Sequence, residues 1–339
     1  MTNKNGKSST VLPPYTFGIE VECHGVPAAV VAWDLRKAGI RVCDSLTSDN
    51  YDQDRTGDDR WTGYDSERWT IGSDGSVRGR FPLEIKSPIL SGEKGLKTVR
   101  KVLGRLRKLG LAVNESCGLH VHVGAKITPT GSLSPRAVLE VLKSYHKHQA
   151  QIERLLTVGR RAGNNHFCQP VGPRVGEVEK LLMLCERSAM LPESTPDNWL
   201  SMTIGERAHW IRYGQGPFTW STDRRYHAHP EPVNGEVKVE LDNLATLAEH
   251  YDAVSLEALS KYGTIEFRQH HGSLNGPEVA SWIRFVVNHV EQARKAAAGE
   301  VNRGRGRKPG IFHGLPTNVR GHFAKQARTF HVPSSRASH

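Results

Sequence analysis

Four segments of this chain alternate apolar and ionisable residues, and each carries its ionisable groups on one side only. They are "YTFGIEVECH" (15–24) with Glu20 and Glu22, "FPLEIKSPIL" (81–90) with Glu84 and Lys86, "GLHVHVG" (118–124) with His120 and His122, and "KYGTIEFRQHHGSLN" (261–275) with Glu266, Arg268 and His270. A period of two is the mark of a strand with unlike faces. Ile19, Val21, Leu119, Val121, Ile265 and Phe267 supply the apolar face, which needs helices to cover it.

The helices are present. "GEKGLKTVRKVLGRLRKLG" (92–110) spaces Leu96, Val99, Leu103, Leu106 and Leu109 as one amphipathic stripe, its other face rich in Lys and Arg. Ser134-Pro135 starts a helix expected to run through Val138, Leu142, Tyr145, Ile152 and Leu155. Further helices are expected over 176–190 and 277–296. "RWTIGSDGSVRG" gives a short strand with a turn at Asp74-Gly75. Strands and helices do not alternate in regular βαβ order, which predicts an α+β fold around an antiparallel sheet. Residues 44–68 read as a loop. Residues 191–235, rich in Pro, Gly, Trp and His, read as an irregular insertion or lid.

Hydrophobic content of 37% and charged content of 24% over 339 residues suit a globular chain able to bury a core. No apolar run is long enough to span a bilayer, and "MTNKNGKSST" lacks the stretch of a secretory signal, so a cytoplasmic location is expected. The five cysteines are widely spaced with no Cys-x-x-Cys pair, against a disulfide scaffold or a zinc knot. Of the net charge of +11, residues 297–339 hold eight Lys or Arg against Glu300 alone, which is +7 and leaves +4 for the rest. This segment, with "NRGRGRKPG", reads as a basic, mobile tail, either solubilising or able to touch nucleic acid or another polyanion. Residues 1–14 read as a flexible terminus.

The polar sides of the four strands are either one wet sheet face or a working floor. Wet faces mix Thr, Lys, Ser and Gln, whereas this one concentrates carboxylates, imidazoles and an arginine. Two carboxylates about 4 Å apart repel by roughly 4 kcal/mol at an effective dielectric near 20, a cost that cations between them remove. Mg²⁺ takes carboxylate oxygens and Mn²⁺ accepts imidazole as well, which favours the metal-site reading. Such a floor suits handling of a metal–nucleotide. "GEKGLKT" has the wrong spacing for a Walker loop, and no Rossmann fingerprint is present.

The blocks "FGIEVE", "SDGSV", "PLEIKSPIL", "CGLHVHVG" and "KYGTIEFRQHHGSLN", in that order, resemble the amidoligase family of the carboxylate–amine ligase superfamily. More distantly, they are similar to glutamine synthetase and glutamate–cysteine ligase. The resemblance implies a catalytic domain over 15–296 with a glutamine-synthetase-like curved antiparallel sheet flanked by helices. ATP and Mg²⁺ (or Mn²⁺) would bind on the concave face. It implies metal ligands at Glu20, Glu22, Glu84, His120 and Glu266. His122, Lys86 and Arg268 would face phosphate or substrate, and Asp74 would orient the amine. Ser255 stands where many relatives carry Asn, and the Asp74 block follows the Glu-x-Glu strand rather than preceding it as in glutamine synthetase. The implied reaction joins a small-molecule carboxylate to an amine through an acyl phosphate.

Two rivals remain at this level. One is a metal-dependent hydrolase, since His-x-His opens many of them, although the further histidines, lysine and aspartate on regular βα strands are missing. The other is a basic nucleic-acid-binding protein on an inactive ligase fold. A thiol pairing of Cys117 with His120 is excluded by strand geometry, because positions three apart point to opposite faces.

Overall fold

The computed structural model describes residues 11–43, 65–126, 128, 131–161, 164–186, 202, 206–207, 210–211, 239–300, 312 and 315–330. It is a mixed α/β structure built on one antiparallel sheet. The strands are β1 (Thr16–Cys23), β2 (Thr70–Gly72), β3 (Leu83–Lys86), β4 (Leu90–Ser91), β5 (Gly118–Gly124), β6 (Val254–Ser255) and β7 (Thr264–His271). Their order is β2-β3-β1-β5-β7-β6, with β4 pairing the start of β1. Every strand pair is antiparallel. The sheet is open, as β2 and β6 lie at its two edges.

Helices α1 (Ala28–Lys37), α2 (Gly92–Leu109), α3 (Pro135–Lys147), α4 (Gln149–Glu153) and α5 (Gly172–Glu186) are followed by α6 (Leu241–Ala245), α7 (Ala258–Tyr262), α8 (Gly276–Ala297) and α9 (Thr317–Thr329). The apolar strand residues and the apolar stripes of α2, α3 and α8 make one continuous core. Helix α2 buries Leu96, Val99, Leu103 and Leu106, as its spacing predicts, and ends at Gly110 with φ 96°. It lies close to β1 because of Gly95, where a Cβ would stand 2.9 Å from Phe17 Cζ. The Ser134 hydroxyl caps α3 by accepting a hydrogen bond from the Ala137 N–H at 3.1 Å.

The structure departs from the sequence expectations in four places. The helix expected to continue through Leu155 ends at Lys147, where His148 departs from helical geometry and its ring binds the Ser144 carbonyl at 2.8 Å. Helix α5 begins four residues before 176, since Pro173 fits a first turn. The expected mobile tail contains α9, whose Val319 and Phe323 are buried, with Phe323 against Phe285 of α8 at 5.8 Å between ring centroids. Leu12, within the expected flexible terminus, is buried too. Residues 1–10, the 44–64 loop, the basic stretch 302–310 and nearly all of the 191–235 insertion lie outside the described residues. No helix among the described residues is long and apolar enough to cross a membrane.

Candidate functional site

The register of the sheet decides which polar side chains meet. In β1, Glu20 pairs with Lys86 of β3 on one side and His120 of β5 on the other, while Glu22 pairs with Glu84. In β7, Glu266 pairs with His122 of β5. Because paired residues share a face, these groups converge on the side opposite helices α2, α3 and α8. They line a cleft of about 360 Å³ together with Asp74 and Arg268.

The distances are short. His120 Nδ1 lies 3.2 Å from Glu20 Oε2 and 3.5 Å from Glu266 Oε1, and its Nε2 lies 3.5 Å from Glu22 Oε1. His122 Nε2 is 3.6 Å from Glu20 Oε1 and 3.9 Å from Glu266 Oε1, beyond hydrogen-bonding range. Lys86 Nζ sits 3.3 Å from Glu20 Oε1 and 2.9 Å from Glu84 Oε2. Arg268 Nη1 donates to Glu266 Oε1 at 2.5 Å. Glu22 Oε2 accepts from the Gly118 N–H at 2.6 Å. Asp74 Oδ1 accepts from both the N–H and the hydroxyl of Ser76, each at 2.7 Å.

Electrostatics show a floor short of positive charge. Burial first, and then the Glu20 charge, push the Glu84 carboxyl up to about 8. Burial would raise Glu20 as well, but His120, His122 and Lys86 around it hold it well below the usual carboxylate range. Burial opposes charge on His122 and Lys86, yet neighbouring carboxylates raise both above their ordinary values.

These residues fit divalent cations. Three sets of potential ligand atoms, each within 4.8 Å of one another, occur here: Glu20, His122 and Glu266; Glu20, Glu84 and His120; Glu22, Asp74 and Glu84. They share Glu20 and Glu84, so a chain of adjacent sites is possible rather than one isolated centre. Buried His122 Nε2 has no hydrogen-bond partner among the described residues, leaving an atom able to turn to a ligand. The carboxylate oxygens suit Mg²⁺, and the sets that include an imidazole suit Mn²⁺.

The nine site residues expected from the sequence all line this cleft: Glu20, Glu22, Asp74, Glu84, Lys86, His120, His122, Glu266 and Arg268. His270 does not join them. The β5–β7 register shifts between Leu119 and Val121, so Arg268 and Gln269 together oppose His120. That extra residue turns His270 to the helix side, where its ring lies 4.8 Å from Trp282.

Other lining residues have no period-two signature. Arg160, in the turn Val158–Arg160, is buried and donates from Nη2 to the Arg268 carbonyl at 2.5 Å. It passes close over Gly118, where a Cβ would meet its Nη2 at 2.9 Å. Phe167, Tyr251, His250, Glu257, Lys261 and Tyr262 complete the wall.

A family model described as "Putative amidoligase enzyme" matches residues 13–290. No curated protein matches the sequence significantly.

Proposed function

The chain belongs to the amidoligase family, and on that premise we propose that it is an ATP-dependent carboxylate–amine ligase. A carboxylate oxygen attacks the γ-phosphorus of ATP, giving an acyl phosphate and releasing ADP. An amine nitrogen then attacks the acyl carbon, the C–O bond to phosphate breaks, and an amide and phosphate leave. Oxide is a poor leaving group and phosphate a good one, which is why the activation step is required.

The observation that carries this reading is the set of three interlocking ligand groups lining one cleft, two of carboxylates with an imidazole and one of carboxylates alone. Glu20, Glu22, Glu84, His120 and Glu266 would hold Mg²⁺ or Mn²⁺. When bound, such ions neutralise phosphate oxygens and align the transferred group. Arg268, Lys86 and His122 supply fixed positive or donor groups for the phosphoryl oxygens. Asp74, held by Ser76 at the cleft's edge, can accept a proton from the amine as it attacks. Glu22, His120, Glu266 and Arg268 are all nearly inaccessible to solvent, which limits hydrolysis of the acyl phosphate.

The test is isotopic. Purified protein, ATP and Mg²⁺ are incubated with pooled amines and carboxylates labelled with ¹⁸O in the carboxyl group. The reading requires an amide product and one ¹⁸O transferred to inorganic phosphate. Release of AMP and pyrophosphate, or turnover that ignores ATP, would defeat it.

A further inference from the structure

At one side of the cleft the lining changes from charged to aromatic. Phe167, Tyr251 and His250 all line it. Tyr251 has three ring neighbours: His166 at 4.5 Å, His250 at 4.8 Å and Phe167 at 5.3 Å between centroids. Phe167 nevertheless leaves 41% of its surface open, so the cluster does not close over its outermost ring.

This wall is fixed to the acid floor through the backbone. The Arg268 N–H donates to the Ala253 carbonyl at 2.9 Å, and the Ala253 N–H donates to the Gln169 carbonyl at 2.8 Å. The Gln169 N–H in turn donates to the Tyr251 carbonyl at 2.6 Å. Asn165 braces the same loop, accepting from the Phe167 N–H at 2.7 Å and donating to the Gly159 carbonyl at 2.8 Å, one residue from Arg160. The rings and the two buried guanidinium groups of Arg268 and Arg160 are therefore tied into one backbone frame.

An exposed ring in that frame has a chemical meaning. A flat π-face stacks on aromatic side chains, and oligo-anionic groups bind guanidinium groups and cations held by carboxylates. A nucleotide carries both features on one molecule, at opposite ends. We propose that Phe167 stacks its open face on the adenine of ATP, with Tyr251 edge-on to it (84° between ring planes) and His250 beside them, while the phosphates lie over the floor. This rests on the ligase reading above and adds which residues recognise the base. Exposed His250 and Lys261 beside the wall, both bonded to Glu257, offer polar contacts to the ring edge or ribose.

The test compares Mg-ATP with Mg-tripolyphosphate, which has the phosphates and no base, by titration calorimetry without amine or carboxylate. Wild type is expected to bind ATP about tenfold or more tightly than tripolyphosphate, the size of one base–aromatic stack. Phe167→Ala should lose that margin while binding tripolyphosphate as before, and Phe167→Tyr should keep it. If Phe167→Ala binds ATP like wild type, the subsite assignment is wrong and the ligase reading stands; a rise in the KM of an aromatic amine instead would hand the wall to the acceptor. Failure of wild type to bind either ligand overturns both.

Discussion

Glu20 on β1 and His120 on β5 are direct cross-strand partners, and His120 Nδ1 lies 3.2 Å from Glu20 Oε2. The pair is set by the hydrogen-bond ladder of the sheet rather than by a loop. The apolar core lies on the other face, so replacing a floor side chain leaves that packing in place.

Glu20→Ala and Glu266→Ala should each reduce Mg-ATP-dependent product formation by at least about a hundredfold, the scale seen when one charge-stabilising group is lost. Circular dichroism and thermal melting should remain close to wild type. Wild-type turnover in either variant would remove those carboxylates from the catalytic machinery.

Divalent cations should stabilise the protein by binding only its folded form. At about 100 times the dissociation constant the gain is about 2.7 kcal/mol, seen as a higher melting midpoint in Mg²⁺ or Mn²⁺ that EDTA reverses. The Glu266→Ala variant should show a much smaller rise. An identical cation response in both proteins would place the ion elsewhere.

Arg160→Lys keeps a charge but loses the planar fork that reaches the Arg268 carbonyl. The expected result is a fall of about tenfold in kcat/KM, with a raised KM for ATP and a melting midpoint near that of wild type. Unchanged kinetics would make Arg160 a packing residue alone.

Burial holds His289 down to about 4, and its Nε2–H donates to the Val141 carbonyl at 3.1 Å. The unfolded imidazole titrates near 6.5. Stability from the neutral ring is therefore complete above about pH 6.5 and declines as pH falls toward 4, because unfolding then takes up a proton. Between pH 7.5 and 5 the loss is about 2 kcal/mol. Urea unfolding at the two pH values should show that loss reduced in His289→Gln; equal losses would contradict it.

Phe323→Ala should destabilise the fold by about 3–5 kcal/mol, since its ring is enclosed by Phe285 and Phe312. Urea midpoints measure this directly. A negligible shift would mean that α9 adds nothing to the core.

The strand faces were legible because alternation is a local property, and register then united what the sequence had separated by some 250 positions, from Glu20 to Glu266. His270 was misread for a physical reason. Alternation continues unbroken in the letters, whereas the unpaired residue is selected by packing: Gln269 accepts from the Tyr145 hydroxyl at 2.9 Å and His270 lies on Trp282. Arg160 gave no local sign, as it sits in an aperiodic turn and reaches the floor only by tertiary return. Helix α9 does leave a local sign: Val319, Phe323 and Gln326 follow i, i+4, i+7 spacing, behind a Gly/Arg-rich stretch whose composition is that of a mobile segment.

The single unmatched position in β7 gives that strand two allegiances. Upstream of it, Glu266 and Arg268 line the cleft; downstream, His270 is clamped among the helices. Excising Gln269 would restore parity and swing His270 outward, adding another imidazole to an already crowded cage and leaving a hole beside Trp282. An irregularity one residue long thus divides the strand between the cleft floor and the helix layer.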